Sequence, residues 1–284
     1  MYNHLYVDLL KRILCNSVYE DDYATRSPSE EDLHECTRFI AELENEAPHV
    51  LSVYPYLTPE KLADILKNTK VSRQIHTYVG QKGLDNVEAC VRTVLFDDIA
   101  GDFLDAGVLR GGIGILMRGI LKAADDSTSR KIVMADSFDG LPPPSIDDSV
   151  FDREVWYRFI NKTTRYNLKC SCDVGSVKSN FEKYDLMDDR VEFLKGWFNE
   201  TMPTLRSRSF AIVRIDVDWY NSCRDVLDNV YDCLSDGGFV IIDDYKLQGC
   251  HAAIDAFRDE RQINDPIEIA DAEAGIVYWR KNYL

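Results

Sequence analysis

An α/β fold, with a mostly parallel central sheet and helices on both faces, is predicted by three features of this 284-residue chain. From Leu84 onward, short apolar runs of strand length alternate with amphipathic helical segments. The connections between those runs are too long for hairpins and suit parallel crossovers. Acidic residues and glycines concentrate directly after the apolar runs, where open parallel sheets bind their ligands.

The elements follow in order. Within residues 5–20, Leu5, Leu9, Leu10 and Ile13 fall at helical spacing, and Leu33, Phe39, Ile40 and Leu43 predict a second helix. Asp21 to Asp32 between them is polar and reads as a loop. A third helix is predicted over Pro59–Leu66, with Thr58 able to cap it and Pro59 suited to its first turn. Residues 1–75 are therefore expected to form a helical extension or lid on an α/β domain of residues 76–284. That domain should run helix 84–95, strand 101–107, helix 113–124, strand 131–135, and an irregular insertion with prolines at 142–144. A helix near 174–184 and strands 191–194 and 210–215 come next. Helix 222–233, strand 238–242, helix 250–261 and two closing strands, 267–271 and 275–280, complete the prediction.

Composition limits the partners. The 49 acidic residues against 33 basic ones give a net charge of −16, which argues against a nucleic-acid backbone or an anionic membrane as partner. Charges interrupt every apolar run near the N-terminus, so no signal peptide or membrane span is expected, and a cytoplasmic protein is. The eight cysteines lack zinc-site spacing and are expected to be mostly reduced and buried.

The residues after the strands are Asp105, Asp136, Gly196, Asp216 and the pair Asp243-Asp244. The turn from Asp105 through Gly107, Gly111, Gly112 and Gly114 opens a helix and lets backbone approach a ligand, although such turns also bind dinucleotides or merely close a corner. Asp136 stands 31 residues beyond Asp105, at the place where an acid can accept from both hydroxyls of a ribose. The glycine spacing departs from the dinucleotide fingerprint, which favours a nucleoside cofactor without a diphosphate. Arg214-Ile215-Asp216-Val217-Asp218 and Asp243-Asp244 end two apolar runs and should converge. Their mutual repulsion calls for a compensating cation or protons, and all-oxygen ligands suit magnesium, calcium or manganese. Pairing with Arg214 or helix capping is the alternative. His251 could contact substrate or be structural; Trp197-Phe198 could stack on an adenine or belong to the core. The segment Asp147–Asp152 reads as a solvated loop.

The segments LYVDLLKRIL, GDFLDAGVLRGG, MADSFDGLPPP, FLKGWFNETMP, RIDVDWYNS and GGFVIIDDY resemble the macrocin O-methyltransferase family, from about residue 5 to the end. The resemblance implies a Rossmann-like class I methyltransferase fold, S-adenosylmethionine as methyl donor, Mg2+, a glycosylated small-molecule acceptor, and a homodimer or higher homo-oligomer. Carried across, Asp216, Asp243 and Asp244 match metal ligands, with Asp216 also the general base and Asp218 the alternative. Asp105, Gly107 and Gly111 match the loop around the methionine part of the donor. Asp136 and Ser137 match its ribose contact, Gly196 and Trp197 its adenine side, and the segment Thr77-Tyr78-Val79-Gly80 a covering loop, with Thr77 and Val79 as its contacts. Tyr245 and His251, beside the acidic pair, are candidate acceptor contacts. The family often has glutamate at Asp105, tryptophan at Leu109, glycine at Val217 and arginine at His251. The same fold and metal site could serve a catechol or phenol acceptor, and a non-catalytic nucleoside-binding protein is the reading outside enzymes.

Overall fold

The computed structural model describes residues 2–18, 30–46, 48–53, 58–67, 75–157 and 170–282. Four helices lead the chain: α1 (His4–Leu14), α2 (Glu30–Glu46), α3 (Pro48–Val53) and α4 (Pro59–Lys67). Then come α5 (Gln81–Phe96), β1 (Asp102–Ala106), α6 (Gly112–Ala123), β2 (Ile132–Asp136), α7 (Val150–Val155), α8 (Val174–Lys183) and β3 (Val191–Lys195). The last part comprises α9 (Phe198–Thr201), β4 (Phe210–Ile215), α10 (Tyr220–Val230), β5 (Leu234–Ile242), α11 (Gln248–Glu260), β6 (Glu268–Asp271) and β7 (Ile276–Arg280).

The seven strands form one sheet in the order β3-β2-β1-β4-β5-β7-β6. The first five are parallel, and β7 runs antiparallel to both β5 and β6. Chain order reverses between β1 and β4, the switch point at which such sheets open a ligand crevice. The register brings the strand ends level: Ala106 pairs with Ala135 and with Ile215, and Ile215 with Ile242. Gly107, Asp136, Asp216 and Asp243 consequently emerge side by side along one edge.

Alternation along the strands splits the core in two. Phe103, Ile132, Met134, Ile212, Phe239 and Ile241 face α1, α5, α6 and α8. Leu104, Val133, Val213, Val240 and Ile242 face α10 and α11, where Val226, Leu227, Ile254 and Phe257 meet them. Helix α6 is buried from Gly112 to Leu121 because the sheet covers one side and α1 the other. A Cβ on Gly119 would lie 2.4 Å from Leu10 Cδ2, so glycine there sets how closely α1 approaches.

Most boundaries agree with the sequence reading within a few residues. Helix α1 stops at Leu14 rather than near residue 20, because Asn16 takes a left-handed φ of 59° and Ser17 N–H returns to Arg12 O at 2.8 Å. Glu30–Asp32, expected in the loop, open α2, while residues 21–29 lie outside the described residues. Helices α3 and α7 were not anticipated, and β5 begins at Leu234. Helices α2 and α4 close a separate small cluster around Cys36, Phe39, Leu43 and Leu62, against which Phe151 of α7 packs. None of the eight cysteines forms a disulfide; Cys36, Cys90, Cys223 and Cys250 are buried, but Cys170 is exposed. Among the described residues no helix is long and apolar enough to cross a membrane.

Candidate active site

A cavity of about 690 Å³ opens at the carboxyl ends of the strands. Its floor begins at Gly107, whose φ of 91° and contact with the Asp216 carbonyl exclude any side chain: a Cβ would lie 1.7 Å from that oxygen. The backbone ladder continues one residue past the strands, with Gly107 N–H donating to Ala135 O and Asp216 N–H to Ala106 O. Asp136 holds the turn above it. Its Oδ2 accepts from Val108 N at 2.7 Å and its Oδ1 from Phe138 N at 2.8 Å. Burial raises this carboxyl above its ordinary value, and those backbone donors oppose the shift. Ser137, Gly196 and the partly exposed Trp197 complete this side of the cavity.

The acidic side is organised by Arg214, which is 1% exposed. One guanidinium nitrogen reaches Asp105 Oδ1 at 2.7 Å; the other reaches Asp216 Oδ2 at 2.6 Å and Asp243 Oδ2 at 2.5 Å. Burial works to discharge Arg214, but the three carboxylates win and hold it protonated. Asp105 is pushed up to about 6, first by burial, with Arg214 opposing. Asp243 is pushed up to about 7 for the same reasons.

Asp218 and Asp244 have no such partner; among the described residues no basic side chain stands within ion-pair distance of either. Asp218 sits in a left-handed turn, φ 61°, and its N–H donates to Asp244 Oδ2 at 2.9 Å. Burial and then the Asp216 charge raise Asp218 to about 7. Asp244 is raised well above the usual carboxylate range by burial and by Asp218. Two uncompensated carboxylates at the rim of a cleft are suitable oxygen donors for a hard cation. Among the described residues, however, no three acidic, histidine or cysteine side chains are gathered into a ready coordination group, since Asp243 is turned onto Arg214.

The cavity receives Gly107, Asp136, Ser137, Gly196, Trp197, Asp216, Asp218 and Asp244 from the sequence-derived set. Seven expected contacts lie elsewhere. Asp105 is beneath the floor, Gly111 packs against Val177 and Phe181, and Asp243 is bound to Arg214. Thr77 and Val79 point inward, Thr77 accepting from Val79 N, whereas Tyr78 between them lines the cavity. In extended chain, neighbours of an inward residue face outward, a parity that could have identified Tyr78. Tyr245 and His251 also miss the cavity. They stack on one another at 4.2 Å and share Asp255, because the turn closed by Leu247 N–H to Asp244 O sends the chain outward. The remaining wall of the cavity, beside Asp216 and Asp218, includes Leu141, Pro142, Pro143, Ser145, Trp219, Asn221, Ser222 and Asp225. Asp148, expected in solvent, is 4% exposed.

Residues 3–281 match the macrocin O-methyltransferase (TylF) family. The chain belongs to that family. As a macrocin O-methyltransferase family member it is an O-methyltransferase, and its class I fold implies S-adenosylmethionine as donor. Two curated relatives are each 37% identical. The 8-demethyl-8-(2,3-dimethoxy-α-L-rhamnosyl)-tetracenomycin-C 4'-O-methyltransferase of Streptomyces olivaceus matches over 97% of this chain and 92% of its own length. The mycinamicin III 3''-O-methyltransferase of Micromonospora griseorubida matches over 98% and 96%. Among solved structures, the O-methyltransferase NovP superposes with a TM-score of 0.75 at 32% identity, covering 98% of this chain and 99% of its own.

Proposed function

We propose that this O-methyltransferase transfers the methyl group of S-adenosylmethionine to a sugar hydroxyl of a glycosylated small molecule, with a divalent cation, Mg2+, at the acidic end of the cleft. The observation that carries the reading is that Asp216, Asp218 and Asp244 line the same cavity as Gly107, Asp136 and Trp197. Ser145, Asn221, Ser222 and Asp225 give hydrogen-bonding groups to a wall otherwise made of Leu141, Pro142, Pro143 and Trp219, which supports a sugar over a catechol. The rhamnosyl group in the name of the Streptomyces olivaceus relative supports the same choice.

Gly107 and the turn held by Asp136 would take the methionine and ribose of the donor, with Gly196 and Trp197 beside the adenine and Tyr78 covering it. Asp216 and Asp244 would hold the cation through the oxygens they present to the cleft, and Asp243 would add the oxygen that Arg214 leaves free. A bound cation would make the acceptor hydroxyl more acidic and fix its orientation. Asp218 is the better base than Asp216, because Asp216 is pinned to Arg214 at 2.6 Å while Asp218 has no cationic partner. A positioned base contributes roughly 10²- to 10⁴-fold. Helices α2–α4 suit a lid better than the whole of residues 1–75, since α1 is built into the core. A homodimer or higher homo-oligomer and a cytoplasmic location belong to the same reading.

Calorimetry with S-adenosylmethionine, followed by turnover of mycinamicin III and related glycosides with Mg2+ or chelator, tests it. Donor binding should survive chelation while turnover stops. Asp218→Asn should lose about 10²-fold or more in kcat with donor affinity kept. A wild-type protein that never binds the donor would overturn the reading, and full turnover in chelator would remove the cation from it.

A further inference from the structure

Two helices start at the acceptor side of the cleft without a capping side chain of their own. The residue before α10 is Trp219 and the residue before α11 is Leu247, and neither side chain can accept a hydrogen bond from a helix N–H. For α10, Asp148 supplies the missing acceptor from elsewhere in the chain. Its Oδ1 accepts from Tyr220 N, the first amide of α10, at 2.7 Å. The same oxygen lies against α11, where a Cβ on Gly249 would come within 2.1 Å of it. Its Oδ2 accepts from Ser145 N at 2.6 Å and Ser145 Oγ at 3.0 Å. One buried carboxylate thus hydrogen-bonds the proline-rich segment to the start of α10 and packs it against the start of α11.

The joined parts are those that shape the acceptor wall. Pro142, Pro143 and Ser145 line the cavity on one side of Asp148, and Trp219, Asn221 and Ser222 on the other. Trp219 Nε1 donates to Pro142 O at 2.9 Å, a second tie across the same seam. Asp218 directly precedes Trp219, so the start of α10 also sets where the proposed base stands. The segment continues into α7, capped by Ser149 through Asp152 N at 2.9 Å, and Phe151 carries it to the α2–α4 cluster.

We propose that Asp148 is a positioning residue for acceptor binding: it latches the 141–149 segment to α10 and α11 and so fixes the acceptor wall, without touching donor or acceptor itself. This rests on the methyltransferase reading for its functional half only. A carboxylate is required because all three donors converge on it; asparagine would turn an N–H toward at least one of them.

The test uses the full chain with Asp148→Asn and, independently, Gly249→Ala, which leaves the carboxylate intact but drives a methyl group into its place. Hydrogen exchange without donor should rise about tenfold or more in residues 140–147 and at the start of α10 in both variants, the equivalent of losing one charge-assisted hydrogen bond. Exchange in β1 and β4 should stay as in wild type. With mycinamicin III as acceptor probe, the acceptor KM should rise about tenfold while the donor KM changes less than about twofold. Unchanged exchange in 140–147 would overturn the latch. Parallel rises in both KM values with faster exchange throughout would make Asp148 a general scaffold residue and overturn the positioning role. Wild type that binds no S-adenosylmethionine would instead fail the proposed function, with the exchange result still deciding the latch.

Discussion

Replacing Lys11 by methionine tests whether α1 is part of the core or a detachable extension. The Lys11 ammonium is 2.6 Å from Asp85, 2.6 Å from Glu88 and 3.1 Å from Asp8, and its side chain is only 5% exposed. Methionine keeps the apolar stem and removes the charge. Asp85 and Asp8 are more than half exposed, so solvent compensates them and their loss contributes little. Glu88 is the costly partner: its side chain is 10% exposed, and it keeps only the Tyr2 hydroxyl at 2.8 Å and Arg92 at 3.9 Å. Breaking a buried pair costs about 3–5 kcal/mol, and the remaining Tyr2 and Arg92 contacts reduce this to about 2–3 kcal/mol. At about 2–4 °C per kcal/mol for a chain of this size, the melting temperature should fall by roughly 5–10 °C.

Denaturant unfolding of Lys11→Met, Glu88→Gln and the double variant measures it. The double variant should recover more than half of the loss, because it no longer buries an unpaired charge. Lys11 is held above its ordinary value by its carboxylate partners against the lowering effect of burial. A raised lysine contributes fully below its unfolded value of about 10.4 and loses its contribution only above that, so the effect should be constant between about pH 6 and 9. A loss below about 0.5 kcal/mol in Lys11→Met, or no recovery in the double variant, would refute the reasoning.

Gly107→Ala should fold but lose about 100-fold or more in kcat, because its methyl group displaces the Asp216 backbone, and steady-state kinetics beside circular dichroism checks it. Asp188→Asn should cost about 1 kcal/mol by leaving the buried Arg118 guanidinium short of its partner, a low figure because Asp188 is 37% exposed. Arg118 holds the Asp188 carboxyl below its ordinary value, so the difference from wild type should be constant above about pH 4 and vanish as pH falls further, read by denaturant titration. Millimolar Mg2+ should raise the melting temperature of wild type and of Asp105→Asn but not of Asp244→Asn; at a hundredfold excess over Kd the gain is about 2.7 kcal/mol.

The sheet was legible because alternation of strand and helix survives in sequence as a change of apolar period, from Phe103-Leu104 through Ile132–Ala135 to Ile212–Ile215. The strand-end rule then placed Gly107, Asp136, Gly196 and Asp216 at the cleft without any contact information. Register was not legible. Asp105 pairs with Arg214 across β1 and β4, and only that pairing turns it under the floor instead of toward the donor. A one-residue change of parity exchanged Tyr78 for Thr77 and Val79. The role of Asp148 depends on two helix starts, 72 and about 100 residues further on, and no local pattern announces it.

Arg214 also changes the argument from charge. In sequence, the repulsion among Asp216, Asp218, Asp243 and Asp244 points to a cation or protons, with pairing to Arg214 as the alternative. The structure divides the group: Asp105, Asp216 and Asp243 have a buried arginine, and Asp218 and Asp244 have none. The proposed cation would therefore serve function rather than folding, since the two carboxyls beside the cleft can take up protons when none is bound. That is why removing Arg214 should disrupt the fold while removing metal should not. An arginine can therefore stand within 3 Å of Asp216 and Asp243 beside the proposed cation: it holds one oxygen of each, while Asp216, Asp218 and Asp244 line the cleft.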